Sequence, residues 1–128
     1  MTQIVVGHDV SLKNGVINNI LIVTSNITIT STTGTNGTVP YVIGVNTSSS
    51  SITITLPTTS SNGMELGRTY IIYDHSGNSN VNNIVINANG DSAGGTINGS
   101  NTMTINQNYA SYTIICSSSS TPIKWSVI

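Results

Sequence analysis

Residues 51–77 read SITITLPTTSSNGMELGRTYIIYDHSG, and their pattern sets the fold class. Ile52, Ile54 and Leu56 alternate with Thr53 and Thr55, the period of a strand buried on one face. Pro57 removes a ladder donor and stops that strand. A polar stretch follows, and Gly67 leads into a second strand, Arg68-Thr-Tyr-Ile-Ile-Tyr-Asp74, closed by the turn His75-Ser-Gly77. The segment thus predicts two core strands separated by a proline-stopped loop, Thr58 to Leu66.

The same texture runs outward in both directions. Strands are predicted at Gln3–Val6, Val16–Val23, Asn26–Thr30 and Tyr41–Val45, and then at Ile84–Ile86, Thr96–Ile97, Met103–Ile105, Ala110–Cys116 and Lys124–Ile128. Lys13-Asn-Gly15, Asn46–Ser50, Asn78–Asn82, Asn98-Gly99 and Ser117–Pro122 read as turns, and 31–39, 57–66 and 89–95 as polar loops. No window carries a 3.6-residue apolar stripe, and alanine occurs only three times, so helices are not expected. Asn26-Ile-Thr-Ile-Thr and Ser51-Ile-Thr-Ile-Thr echo each other 25 residues apart, but no third copy keeps the period, which argues against a solenoid. The expectation is an all-β chain, an antiparallel β-sandwich or jelly-roll-like domain. Residues 1–38 would form an N-terminal β arm for attachment or trimer formation, and residues 39–128 the main module.

Composition restricts function. The 128 residues include only three Lys or Arg and four Asp or Glu, with a net charge of −1 and no Phe. An average domain is about a quarter charged, so this surface must be wetted by Ser, Thr and Asn instead. No basic cluster exists to hold nucleic acid or an anionic membrane, and no apolar run is long enough to insert into a bilayer. The N-terminal residues lack a basic signal-peptide head, so synthesis in the cytoplasm without a signal peptide is expected. The single cysteine, Cys116, sits in an apolar run and reads as a small buried hydrophobe.

Catalytic constellations are missing from the pattern. Asp74-His75 and His8-Asp9 are adjacent pairs, and strand neighbours point to opposite faces. The Asn89–Gly95 loop is glycine-rich but opens no helix to cradle phosphate. Zinc and calcium ligand spacings are absent, and Asp91 stands alone. No enzyme activity, cofactor or metal is expected. Glu65, Arg68 and Asp74 hold three of the seven charges, and the loop Thr58–Leu66 is the stretch best placed for a direct contact. Thr28/Thr30, Thr53/Thr55 and Thr102/Thr104 would each show two hydroxyls on one face, as in ice-binding arrays, though threonine is also an ordinary strand former. Tyr41, Tyr70, Tyr73, Tyr109, Tyr112 and Trp125 lie in or beside strands and read mostly as structural, with Tyr73 and Tyr109 expected to be partly exposed.

Motifs in residues 41–128 fall in a recognisable order: Tyr41 with Asn46-Thr-Ser-Ser, Ile-Thr-Ile-Thr-Leu-Pro57, Gly67-Arg-x-Tyr-x-Ile-x-Asp74 with Ser76-Gly-Asn78, Asn82-Asn-Ile-x-Ile86, Gly94-Gly-Thr-Ile-Asn-Gly-Ser100, Ile105-Asn-x-Asn-Tyr109 and Trp125-x-Val-Ile128. This series resembles a β-rich module at the ends of phage tail fibres, tail spikes and other viral or bacterial surface appendages. Where that family carries an Asp-Gly-Thr-Asn type turn before the tryptophan, this chain has Ser117–Lys124, SSSSTPIK. The resemblance does not reach residues 1–38. It implies a homotrimer at a virion or particle surface, contacting other virion proteins and a host-surface receptor or glycan. Its alternative is a purely structural trimerisation module with no ligand; a free-standing lectin or an ice-binding protein is more distant. Scarce edge charges argue in the same direction, because a closed symmetric assembly covers strand edges that Lys and Glu do not guard.

Overall fold

A computed structural model describes residues 20–34, 40–90 and 94–128. Among them the strands are β1 (Ile20–Val23), β2 (Ile27–Thr28), β3 (Val42–Val45), β4 (Ile52–Thr55), β5 (Thr69–Asp74), β6 (Ile84–Asn87), β7 (Thr96–Ile97), β8 (Thr102–Ile105), β9 (Ser111–Ser118) and β10 (Lys124–Val127). A six-stranded sheet runs in the order β1-β3-β5-β9-β10-β7, and a four-stranded sheet in the order β2-β4-β6-β8.

The chain alternates between the sheets, and each early strand pairs with the strand two places on. β1, β3 and β5 are parallel, as are β2, β4 and β6. Strands that return in the same direction on alternate walls make a coil, here a β-solenoid of about three turns. This corrects the sandwich or jelly-roll expectation, since both of those are built from antiparallel neighbours. Antiparallel pairing appears only at the last rung, where β9 and β10 follow β5 and β8 follows β6.

The sequence echo is real, but it is stacked out of its sequence alignment. Ile27 pairs with Ile54 and not with Ile52. The third copy is Ile84-Val-Ile-Asn87, with Ile54 opposite Ile86. Paired positions are thus 27 and then 32 residues apart, so no fixed period exists for the eye to find. Loops of unequal length are tolerated because each rung needs only its short strands to be in register, and extra loop residues cost little closure entropy.

Period-two alternation turns one face of every strand inward. Leu21, Ile43 and Ile72 form one column across the six-stranded sheet, and Ile52, Ile84 and Ile105 one across the other. Rungs ~4.8 Å apart bring these side chains, β-branched except for Leu21, into contact. Burying each such side chain is worth roughly 1.5–3 kcal/mol. Trp125 and Tyr70 fill the far end, with ring centroids 5.7 Å apart. Cys116, in register with Trp125, is buried as expected, and that burial raises its thiol pKa.

β1 and β2, which the sequence places in the arm, form the first rung, and Val23 of β1 and Ile29, the residue after β2, join the core. The expected strand Gln3–Val6, the Lys13–Gly15 turn, the His8-Asp9 pair and Asp91 lie outside the described residues.

Candidate functional site

The inward column Val23–Val45–Asp74 ends in a charge. Two rungs place valine there, and the third places a carboxylate that is 1% exposed. The chain turns immediately afterwards, and the turn folds its donors back onto that carboxylate. Asp74 Oδ1 accepts from the Ser76 N–H (3.1 Å), the Ser76 hydroxyl (3.2 Å) and the Gly77 N–H (3.0 Å). Oδ2 accepts from the Ser79 N–H (3.1 Å) and, across the structure, from the Tyr109 N–H (3.1 Å). Aspartate favours such local turns because its short side chain reaches backbone donors a few residues on.

Five donors decide the protonation state. Burial alone would raise the Asp74 pKa, but the backbone N–H groups of Tyr109, Ser79 and Gly77 bond the ionised form and win, lowering it to about 2. The folded value lies below the ordinary 3.8, so this carboxylate contributes stability that is fully present above pH 3.8 and is lost as pH falls towards 2. The difference is worth about 2 kcal/mol. Acid unfolding followed by circular dichroism is expected to show this loss, and carboxyl NMR of Asp74 a titration midpoint near 2.

Further bonds join the two turns. The Ser79 hydroxyl donates to the Gln107 carbonyl, the Asn80 N–H to Asn108 Oδ1 (3.0 Å), and the Asp74 N–H to the Ala110 carbonyl (2.9 Å). Asn82 Nδ2 donates to the Thr47 carbonyl (2.8 Å), and the Thr47 N–H to Ser76 Oγ (3.0 Å), which ties the pair to the second rung.

This frame holds Tyr109 in an unusual state. Its φ is +62°, in the left-handed region that L side chains avoid at a cost of roughly 1–2 kcal/mol, yet the side chain is 73% exposed. The ring rests on Gly77, where an added Cβ would meet Tyr109 Cζ at 2.3 Å. Gly77 itself has φ +73°, so both its conformation and the contact require glycine. The same segment carries a cavity of about 140 Å³, lined by Ile105, Asn106, Gln107, Ala110 and Tyr112.

Residues singled out from the sequence are dispersed. Glu65 and Arg68 form an exposed pair at 3.5 Å, at the opposite end of β5 from Asp74 and so about 20 Å from it. The loop Thr58–Leu66 contains a short 3-10 turn at Ser60–Asn62 and is held down by the Tyr70 hydroxyl, which donates to the Gly63 carbonyl at 3.1 Å, and by buried Met64. Burial raises the Tyr70 pKa far above its usual value, so this hydroxyl stays a donor. His75 is exposed and meets the Tyr73 hydroxyl at 3.2 Å, while Asp74 points inward, so the adjacent pair does not act together. In the 89–95 loop, Asn89 Oδ1 accepts from the Gly94 N–H at 2.8 Å. The meeting of turns 75–82 and 106–110 escaped the sequence reading. The signals on offer were a carboxylate in an inward position and a glycine in the turn directly after it.

Both sheets also present outer faces. On the six-stranded sheet, Ile20, Val42 and Ile71 form one row and Ile22, Gly44 and Tyr73 the next. Ile22 and Tyr73 close over Gly44, where a Cβ would lie 2.6 Å from Ile22 Cδ1 and 2.7 Å from the Tyr73 hydroxyl oxygen. Ile20 and Ile22 remain 48% and 43% exposed. The four-stranded sheet shows Thr28, Thr55, Asn87 and Thr102 in one row and Thr53, Val85 and Thr104 in another. Thr30 does not join them; its hydroxyl contacts Thr33.

Among the described residues, no three His, Cys, Asp or Glu side chains gather to hold a metal ion, and no helix is long and apolar enough to cross a membrane. No family model matches the chain, and no curated protein matches it.

Proposed function

We propose that this chain is a non-catalytic component of a viral particle, a fibre, appendage or capsid-decoration module that self-associates as a homotrimer and contacts a host-surface receptor. The observation that carries the recognition role is Tyr109, an exposed aromatic side chain held in a strained backbone conformation by a buried, five-bonded carboxylate. Strain of this kind persists where the surrounding structure over-determines it, and such positions cluster at binding sites. The motif series over residues 41–128 supports the appendage context. Other virion proteins would be the structural partners, and the virion surface the location.

Self-association draws support from the outer face of the six-stranded sheet. Its isoleucines and valine form a neutral, apolar surface, and a second copy matches such a face without needing complementary charge. Light scattering on the full chain is expected to give a trimer at micromolar concentration. Ile22→Lys is expected to weaken association at least tenfold and leave the fold intact, since Ile22 points outward. A monomeric wild type would overturn this part of the reading.

The purely structural alternative is distinguished by adhesion. A tight trimer that attaches to neither host cells nor immobilised glycans supports a trimerisation module alone.

A further inference from the structure

We infer that the loop pair 75–82 and 106–110 is a binding site for a neutral saccharide, with the Tyr109 ring as its platform. The inference rests on the recognition reading above and adds the chemical class of what is recognised. Four observations carry it.

The first is the platform. One side of the Tyr109 ring lies on Gly77, and the rest is open to solvent. An aromatic ring fixed in this way offers the apolar C–H face of a pyranose a contact that costs little side-chain entropy on binding. The second is the polar set around it. Asn106 and Gln107 line the cavity of the same segment, and their side-chain amides make no hydrogen bond to another described residue. Each amide offers donors and an acceptor, which is the pairing that vicinal sugar hydroxyls require. The third is charge. Asp74, the carboxylate that leads into the first loop, is buried and saturated by its five donors, so it offers nothing to a cation. Among the described residues the Lys and Arg side chains, Lys124 and Arg68, lie elsewhere, on β10 and before β5, so a phosphorylated, sulfated or acidic partner gains no ammonium or guanidinium contact from them. The fourth is size. At about 140 Å³, the cavity falls below the few hundred Å³ that enclose a drug-sized molecule, so an occupant lies across it and dips one substituent in.

Pre-organisation completes the argument. Tyr109 is bonded through its own N–H to the same carboxylate that closes the 75–79 turn. The two loops therefore move as one unit, and little ordering is left to oppose binding.

The test applies the 128-residue chain to arrays of neutral and of sialylated glycans, and measures every hit by titration. Weak, near-millimolar binding to a neutral glycan is expected, about −4 kcal/mol per site. Tyr109→Ala should weaken it at least tenfold, Tyr109→Phe should keep it within about threefold, and Gln107→Ala should weaken it severalfold. Light scattering and thermal melting of each variant check that the fold and oligomer persist. Binding that survives Tyr109→Ala, preference for sialylated glycans, or no binding to any neutral glycan would each overturn the assignment. Adhesion to host cells that resists periodate oxidation of their sugars overturns the saccharide but leaves receptor recognition standing. Loss of all cell adhesion removes both.

Discussion

Asp74→Ala is expected to cost at least about 4 kcal/mol of stability at pH 7, more than any surface change in this chain. The carboxylate takes bonds from four backbone N–H groups and one hydroxyl, and alanine leaves the four N–H groups with nothing to donate to. Each buried donor left unpaired costs about 1–3 kcal/mol, reduced where a loop can open to water. Asp74→Asn should cost less, about 2–3 kcal/mol, because the amide oxygen keeps one side of the cluster while its NH₂ confronts donors on the other. Denaturant unfolding at pH 7 measures both. The asparagine variant should also lose the acid-dependent part of the stability curve between pH 3.8 and about 2. A loss below about 1 kcal/mol for Asp74→Ala would mean that the turns 75–79 and 107–110 hold themselves without it.

Trp125→Ala should be nearly as damaging, at about 4 kcal/mol. Trp125 is the largest fully buried side chain, and β10 lies between β9 and β7 in the six-stranded sheet. Its indole supports the buried Tyr70 ring, whose hydroxyl in turn pins Gly63. Removing it opens a cavity at the antiparallel end of the solenoid, where the wall on the far side is another strand and cannot collapse inward. Trp125→Phe keeps a ring beside Tyr70 and is expected to cost under about 2 kcal/mol. Thermal melts of the two variants, compared with the wild type, give the ordering. Equal losses would show that ring volume at this position does not matter to closure.

Both residues stood out in the sequence for the wrong reason or for none. Asp74 reads there as the polar end of a strand, and Trp125 as one more β-rich aromatic. Alternation from Thr69 to Asp74 does place Asp74 on the same face as Tyr70 and Ile72, which are buried. What alternation does not reveal is whether a strand's last inward position is covered, because that depends on a partner segment. The cover here comes from Tyr109, 35 residues away.

Alternation also carries no strand direction. Ile52, Ile54 and Leu56 read the same in a sandwich and in a solenoid, because the inward face is apolar in both. The many short turns favour an antiparallel reading, but among the described residues each of them except the one between β9 and β10 connects opposite walls of one coil. The usual sign of a coil is a constant repeat, and the loops of this one differ by several residues between rungs.

From the sequence alone, then, follow the all-β class, the strand positions among the described residues, their inward residues and an uncharged, Ser/Thr/Asn-rich surface, because each depends on local spacing and composition. Only the tertiary structure decides that the strands coil in parallel, that a carboxylate takes the place of the valines in its column, and that Tyr109 stands exposed on Gly77. Those depend on contacts between segments distant along the chain, where register is set by which apolar columns close together in space.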